Sequence, residues 1–207
     1  MARRTKEEAL ETRNQLLDSA EQLFSANGVA QTTLNDVAAN AGLTRGAIYW
    51  HFKNKADLLE ALCERARMPL EDAMNSLNDS HASPLDRIRA KSVEVLRQVV
   101  GDAHCRSVFN ITLHKCEFTD ELASLKKRHL EGRDDCLSQI EQEFAEAAAS
   151  GQLRKDIKPR MAAIGLLSYI DGLLYHWLPV PEYFSLGDEA DALIDIYLSG
   201  LIRNDSR

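Results

Sequence analysis

The sequence predicts an all-α fold in two parts. Three observations carry that reading of its 207 residues. Leu and Ala dominate long stretches, and runs of β-branched residues are rare. Apolar residues recur at helical rather than alternating spacing. Capping residues, glycines and prolines cut the chain into about nine helical segments. The composition, 44% apolar and 28% charged, is that of an ordinary globular chain.

The segments follow in order. A polar, basic arm precedes a helix over about Lys6 to Asn27, in which Leu16, Ala20, Leu23 and Phe24 share one face. Gly28 supplies a left-handed stop. Thr33 caps a short helix with Leu34, Val37, Ala38 and Ala41 at i, i+3, i+4, i+7, and Gly42 ends it. Thr44 caps the next, about Arg45 to His51, and Asn54 caps a fourth beginning at Lys55. Pro69 inside the fourth removes a hydrogen bond and predicts a kink. Ser83-Pro84 starts a helix to about Val100, Ala103 to Cys116 forms another, and Thr119 caps a long one ending near Ser150. Pro159 opens a helix closed by Pro179, and Asp188 to Ile202 is the last.

Two short helices joined by the tight Gly42-Leu43-Thr44 turn make a helix-turn-helix, whose second helix enters the DNA major groove with its N-terminal residues toward base edges. Ala47, Ile48 and Phe52 turn inward; Arg45, Gly46 and Tyr49 turn outward. The expected division is residues 1–55 as DNA-binding domain and 56–207 as a second helical domain, with the join in the fourth helix.

Charge supports that division. The net charge is −7, yet Met1 to Lys55 holds seven Lys+Arg against six Asp+Glu, leaving 18 against 26 beyond. A locally cationic face on an acidic body suits a polyanion docking at one end. Four cysteines without paired spacing read as thiols in a reducing compartment, and no secretory pattern opens the chain, so a cytoplasmic location is expected. Met161 to Leu178 imitates a membrane span, but Asp171 at its middle and its marginal length argue for a helix buried on most sides. Motifs for a nucleophile elbow, a zinc protease and a phosphate loop are absent, and the six His lack metal spacing, so no enzyme, metal or cofactor is expected.

Three stretches resemble a known family. LFSANGVAQTTLNDVAANAGLTRGAIYWHFKNKADLL (Leu23 to Leu59) resembles the DNA-binding domain of the TetR family of bacterial transcriptional repressors along its whole length. RRTKEEALETR (Arg3 to Arg13) and LHKCEFTDE (Leu113 to Glu121) resemble a narrower group, the AcrR/TtgR/MtrR-type regulators of multidrug efflux pump genes. The C-terminal part, including YIDGLLYHW, is similar in size and helix order. The resemblance implies a dimeric, ligand-responsive repressor. Its partners would be double-stranded operator DNA and small hydrophobic, aromatic or cationic drugs.

Residue roles follow. Arg45 can give a bidentate bond to guanine, and Gly46 permits close backbone approach. Thr33 and Thr44 are caps that in the family also touch phosphates. Tyr49 is read as bonding a phosphate or packing on a thymine methyl, with the core as alternative. Trp50 is left open between a wedge among the small helices and a contact to bases. His51 and Lys55 resemble family phosphate contacts, while Lys53 is a phosphate contact or a solvated charge. Arg3 and Arg4, with Lys6, form an arm for counterion release.

A ligand pocket is expected from Phe109, Asn110, Leu113, His114 and Glu117, at helical spacing with Asn110 and His114 on one face. An ordinary helix with exposed Asn and His is the alternative. Asp171, alone in an apolar helix, needs a partner: a cationic ligand, a residue of the chain, or the other subunit. Ile140, Phe144, Tyr175 and Trp177 complete the ligand set, with core or dimer interface as their alternative. In the family the last two helices form a four-helix dimer interface, and Gly165, Ser168 and Gly172 would allow close helix approach there. Cys116 beside Lys115 opens the possibility of a thiol with lowered pKa. Two other functions stay open: a constitutive DNA-binding regulator, and a small-molecule binding protein with a vestigial DNA domain.

Overall fold

A computed structural model describes residues 6–78, 82–117 and 122–202. Among the described residues nine α-helices form: α1 (Lys6–Asn27), α2 (Leu34–Asn40), α3 (Arg45–His51), α4 (Lys55–Ser76), α5 (Pro84–Gly101), α6 (Ala103–Asn110), α7 (Ala123–Ala149), α8 (Pro159–Trp177) and α9 (Leu186–Ser199). The all-α expectation holds, and no β-strand occurs among the described residues. The one extended pairing among them is an antiparallel bridge between Leu153 and Ile202. Ile202 is therefore not helical; α9 ends at Ser199, with Gly200 as its C-cap.

Caps fall where the sequence places them. Ser83 accepts from the Asp86 N–H with Pro84 in the first turn, and Asn54 Oδ1 accepts from the Asp57 N–H. Gly28, Gly42 and Gly151 have positive φ, at 83°, 67° and 76°. Each lies just beyond a helix end, where the chain must reverse and a Cβ would be strained. Thr119 lies outside the described residues.

One element departs from expectation. The segment read as one helix over Ala103 to Cys116 is α-helical only to Asn110 and continues as a π-helix over Ile111–Lys115. The Thr112 hydroxyl donates to the carbonyls of Val108 and Phe109 at 3.0 and 3.1 Å, competing with the helical ladder. Widened turns of this kind occur disproportionately at functional sites.

The chain divides into two compact units. The first comprises residues 1–67 and 107–128, so α4 leaves it just before Pro69. Its core joins Leu16, Leu17, Ala20 and Phe24 of α1 to Val37, Ile48, Phe52, Leu58, Leu59 and Leu62, and closes with Val108, Ile111 and Leu122. Burying side chains of this size contributes roughly 1.5–3 kcal/mol each before entropy is counted. Arg65 of α4 clamps α1 through Asp18 at 2.6 Å and Glu21 at 2.9 Å.

The second unit comprises residues 68–106 and 129–207. Within it α5 packs along α9, tied by Arg89 to Asp191 and Asp195 and by Arg97 to Asp191. Tyr197 of α9 stacks on Tyr169 with ring centroids 5.5 Å apart, and its hydroxyl donates to the Ala162 carbonyl at 2.7 Å. A Cβ on Gly165 would collide with that hydroxyl. Gly165 thus seats Tyr197 inside the chain, a role the sequence had suggested only for helix approach between subunits. Among the described residues no helix is long and apolar enough to cross a membrane. α8 buries one face, through Ala162, Ala163, Leu166, Ile170, Leu174 and Trp177, rather than most of its circumference.

Candidate nucleic-acid interface

The geometry begins at Thr44. Its Oγ1 accepts from the Ala47 N–H at 3.2 Å, fixing the first turn of α3. Ile48 and Phe52 are buried beneath, and this burial forces the opposite face outward. Arg45, Gly46, Tyr49 and Trp50 form that exposed face. Tyr49 is 47% exposed and Trp50 73% exposed. Trp50 is therefore not a wedge among the small helices; its ring stands at a 4.4 Å centroid distance, edge-on, to that of His51.

The Arg45 guanidinium lies over the Tyr49 ring, 5.4 Å from its centroid. The two are i, i+4 on one helix, so the aromatic face supports the cation without neutralising it. An arginine held in this way loses less freedom when its planar fork meets a guanine edge.

The two threonine caps are not equivalent. Thr33 makes a full capping box with Asp36. Both its amide and its hydroxyl donate to Asp36 Oδ2, at 2.9 and 2.7 Å. The Thr33 hydroxyl, then its amide, hold the Asp36 carboxyl below its ordinary value of 3.8. Both Thr33 donors are thereby committed. Thr44 only accepts in its cap, so its hydroxyl hydrogen is left to donate outward.

Lys55 is placed differently from an open phosphate contact. It is 8% exposed, and Nζ donates to the Ala30 carbonyl at 3.3 Å. Its ammonium braces the α1–α2 turn from beneath. Lys53 is exposed, with its backbone N–H on Asp57 Oδ2 at 2.9 Å, and His51 is half-buried. Arg3 and Arg4 lie outside the described residues.

The expected ligand residues fall in both units. In the first, Phe109, Asn110, Leu113 and His114 are half-buried and Glu117 is exposed; the π-helix alters the spacing of this row. In the second, Phe144 is fully buried, and Trp177 is buried with its indole N–H on the Phe184 carbonyl at 3.1 Å. Ile140 is half-buried and Tyr175 exposed. Asp171 finds its partner within the chain: Arg133 Nη2 lies 3.0 Å from Oδ2. Burial still pushes the Asp171 carboxyl above 3.8, opposed by Arg133 and then by the charge of His129. No spacing rule pointed to Arg133, because it lies on α7 and the pairing is tertiary. Burial also raises the Cys116 thiol, against the opposing charge of Lys55, so it is not an activated thiolate. Cys63 is pushed up to about 12, chiefly by burial.

A short capped helix with outward Arg, Gly, Tyr and Trp, set second in a helix-turn-helix, defines a DNA-reading class of protein. Comparison with known sequences makes the class specific. Residues 16–62 match the profile of bacterial regulatory proteins of the tetR family, and residues 83–202 match the MAATS-type transcriptional repressor C-terminal region. The chain belongs to the TetR family of transcriptional regulators. It is 39% identical over 202 residues to the HTH-type transcriptional regulator TtgR of Pseudomonas putida, covering 97% of this chain and 96% of that one. It is also 39% identical over 202 residues to the HTH-type transcriptional regulator AcrR of Shigella flexneri, covering 96% and 93%. Among solved structures it resembles NalD, the secondary repressor of the MexAB-OprM multidrug efflux pump in Pseudomonas aeruginosa. The TM-score is 0.88, with 33% identity over 96% of this chain and all of that one. A SmeT–triclosan complex matches with TM-score 0.80 and 31% identity, covering 94% and 93%.

Proposed function

We propose that this chain represses a multidrug efflux operon, binding operator DNA as a homodimer and releasing it when a small aromatic or cationic drug binds. The observation that carries this is the exposed face of α3, where Arg45, Gly46, Tyr49 and Trp50 are held outward by one cap and a buried floor. Arg45 reads a guanine edge, Thr44 and Tyr49 grip the backbone, and Trp50, His51 and Lys53 extend the contact. Residues 1–55 serve as the DNA-binding domain and 56–207 as the ligand and dimer domain. The protein acts in the cytoplasm, where operator DNA is.

Dimerisation through α8 and α9 fits their exposed apolar residues: Met161 at 61%, Tyr175 at 49% and Ile196 at 67%. A two-fold pair would present two copies of α3 about one DNA turn apart, roughly 34–36 Å. The repressor relatives NalD and SmeT support the efflux reading, and triclosan bound to SmeT supports an aromatic ligand. Phe109, Asn110, Leu113, His114 and Glu117 of the first unit, and separately Ile140, Phe144, Asp171, Tyr175 and Trp177 of the second, are the residues proposed as ligand contacts. A ligand that favours the released form by about 1.4 kcal/mol lowers DNA affinity tenfold.

Fluorescence anisotropy tests this directly. A labelled duplex from upstream of the gene and a scrambled duplex are titrated at two salt concentrations, followed by triclosan and a panel of cationic drugs. Specific binding that a drug reverses is expected. Specific binding that no compound disturbs would make the protein a constitutive regulator, and drug binding without DNA binding would make it a sequestering protein.

A further inference from the structure

Arg13 of α1 is half-buried, and its guanidinium carbon lies 5.2 Å from the centroid of the Phe52 ring. Phe52 is the C-cap of α3 and is itself buried, so the ring is a fixed platform at the end of the recognition helix. Among the described residues Arg13 makes no ion pair. The neighbours one turn away on its own helix, Ala9, Leu10, Leu16 and Leu17, are all apolar. By contrast, Arg65 of α4, which faces α1, has two carboxylates. The Phe52 ring supports the cation without neutralising it, so the charge of Arg13 remains available to an anion. The chain around Phe52 adds a ring and a positive charge but no carboxylate next to it in sequence. His51 adjoins Phe52 with ring centroids 6.2 Å apart, and Lys53 follows it in the chain. Asp57, in the first turn of α4, accepts from the backbone N–H of Lys53 at 2.9 Å.

We infer that Arg13 is a DNA-backbone contact: Phe52 holds its guanidinium at the exit of α3 to grip one phosphate of the strand flanking the groove. The inference rests on the DNA-binding reading above and adds a residue outside the helix-turn-helix. Arg45 would then lie at one end of α3 and Arg13 at the other, one over Tyr49 and one over Phe52. The competing role for Arg13 is purely structural: a cation near a helix C-terminus complements its dipole. The two roles separate in salt dependence, since only a phosphate contact releases a counter-ion.

The test uses full-length Arg13→Gln and Arg13→Met, which keep the stem on Phe52 without the charge, and Arg13→Lys, which keeps the charge. Each is titrated against the labelled upstream duplex and its scrambled counterpart over a range of salt. Melting by circular dichroism shows that the variants fold, and either neutral variant suffices. The neutral variants are expected to flatten the slope of log K against log salt by about 0.9 on both duplexes alike, with Lys restoring it. Folded neutral variants with the wild-type slope would overturn the inference and leave Arg13 a structural cation. Wild-type protein that bound neither duplex would instead overturn the DNA-binding reading, and this inference with it.

Discussion

The backbone N–H of Val29 donates to the carbonyl of Lys115 at 3.0 Å, across 86 positions of sequence. The turn between α1 and α2 is thus fastened to the last residue of the π-helix. Gly28 makes the turn, and a Cβ there would stand 3.5 Å from the same carbonyl oxygen, in ordinary contact. The difficulty of a side chain at Gly28 is therefore its φ of 83° rather than space. Gly28→Ala is expected to lower stability by about 1–2 kcal/mol, the strain of an L-residue in the left-handed region. Urea unfolding reads this, and an unchanged midpoint would show that the turn relaxes freely.

The inequality of the two caps has a DNA readout. Thr33→Val and Thr44→Val each remove a cap and should cost roughly 0.5–2 kcal/mol of stability. Only Thr44 has a hydroxyl hydrogen to spare for a phosphate. Thr44→Val is therefore expected to weaken DNA binding by about tenfold, a charged hydrogen bond's worth, and Thr33→Val by much less. Equal losses in anisotropy titrations would refute the distinction.

Tyr49 can act through its ring or its hydroxyl, and two substitutions separate these. Tyr49→Phe keeps the ring beneath Arg45, whereas Tyr49→Leu removes it. An exposed cation–π contact contributes roughly 0.5–1 kcal/mol, so Tyr49→Leu should lose about two- to fivefold in discrimination against operators with guanine pairs replaced. Tyr49→Phe should retain it. If both variants lose discrimination equally, the hydroxyl rather than the ring is responsible.

Asp171 predicts an unusual pH dependence. Its carboxyl is raised above 3.8 in the folded chain because burial outweighs Arg133. Between 3.8 and that raised value the folded state binds more protons than the unfolded one. This group's contribution to stability therefore falls as pH rises through the window and is recovered as pH drops. The pair is substantially exposed, at 37% for Asp171 and 47% for Arg133. Asp171→Asn should therefore change stability by less than about 1 kcal/mol at neutral pH. Wild type should gain on the variant as pH falls toward 3.8. Denaturation curves at several acid pH values would show it; a gap that narrows or reverses in the opposite sense would contradict the assigned direction.

Much of the architecture was legible because local chemistry dictates it. Thr33, Thr44, Asn54 and Ser83 cap, and Gly28 and Gly42 stop, through bonds and dihedrals confined to a few neighbouring residues. The outward face of α3 was legible for the same reason: Ile48 and Phe52 leave Arg45, Gly46 and Tyr49 only one side. The π-helix was not, because five residues of wider helix carry the same apolar pattern as an α-helix. Trp50, left open between wedge and surface, was decided by Ile48 and Phe52 filling the floor of α3.

Alone, then, the sequence determined the helical class, the helix-turn-helix and the outward face of its second helix, all products of short-range periodicity and capping. Tertiary structure alone decided which charges are free. Lys55 turns inward to Ala30, Asp171 is answered by Arg133, and Arg13 comes to rest on Phe52. The last two pairings each span 38 or 39 positions of sequence, and Lys55 and Ala30 are 25 apart. Spacing along one chain cannot encode such partners; only the packing of one helix against another brings them within reach.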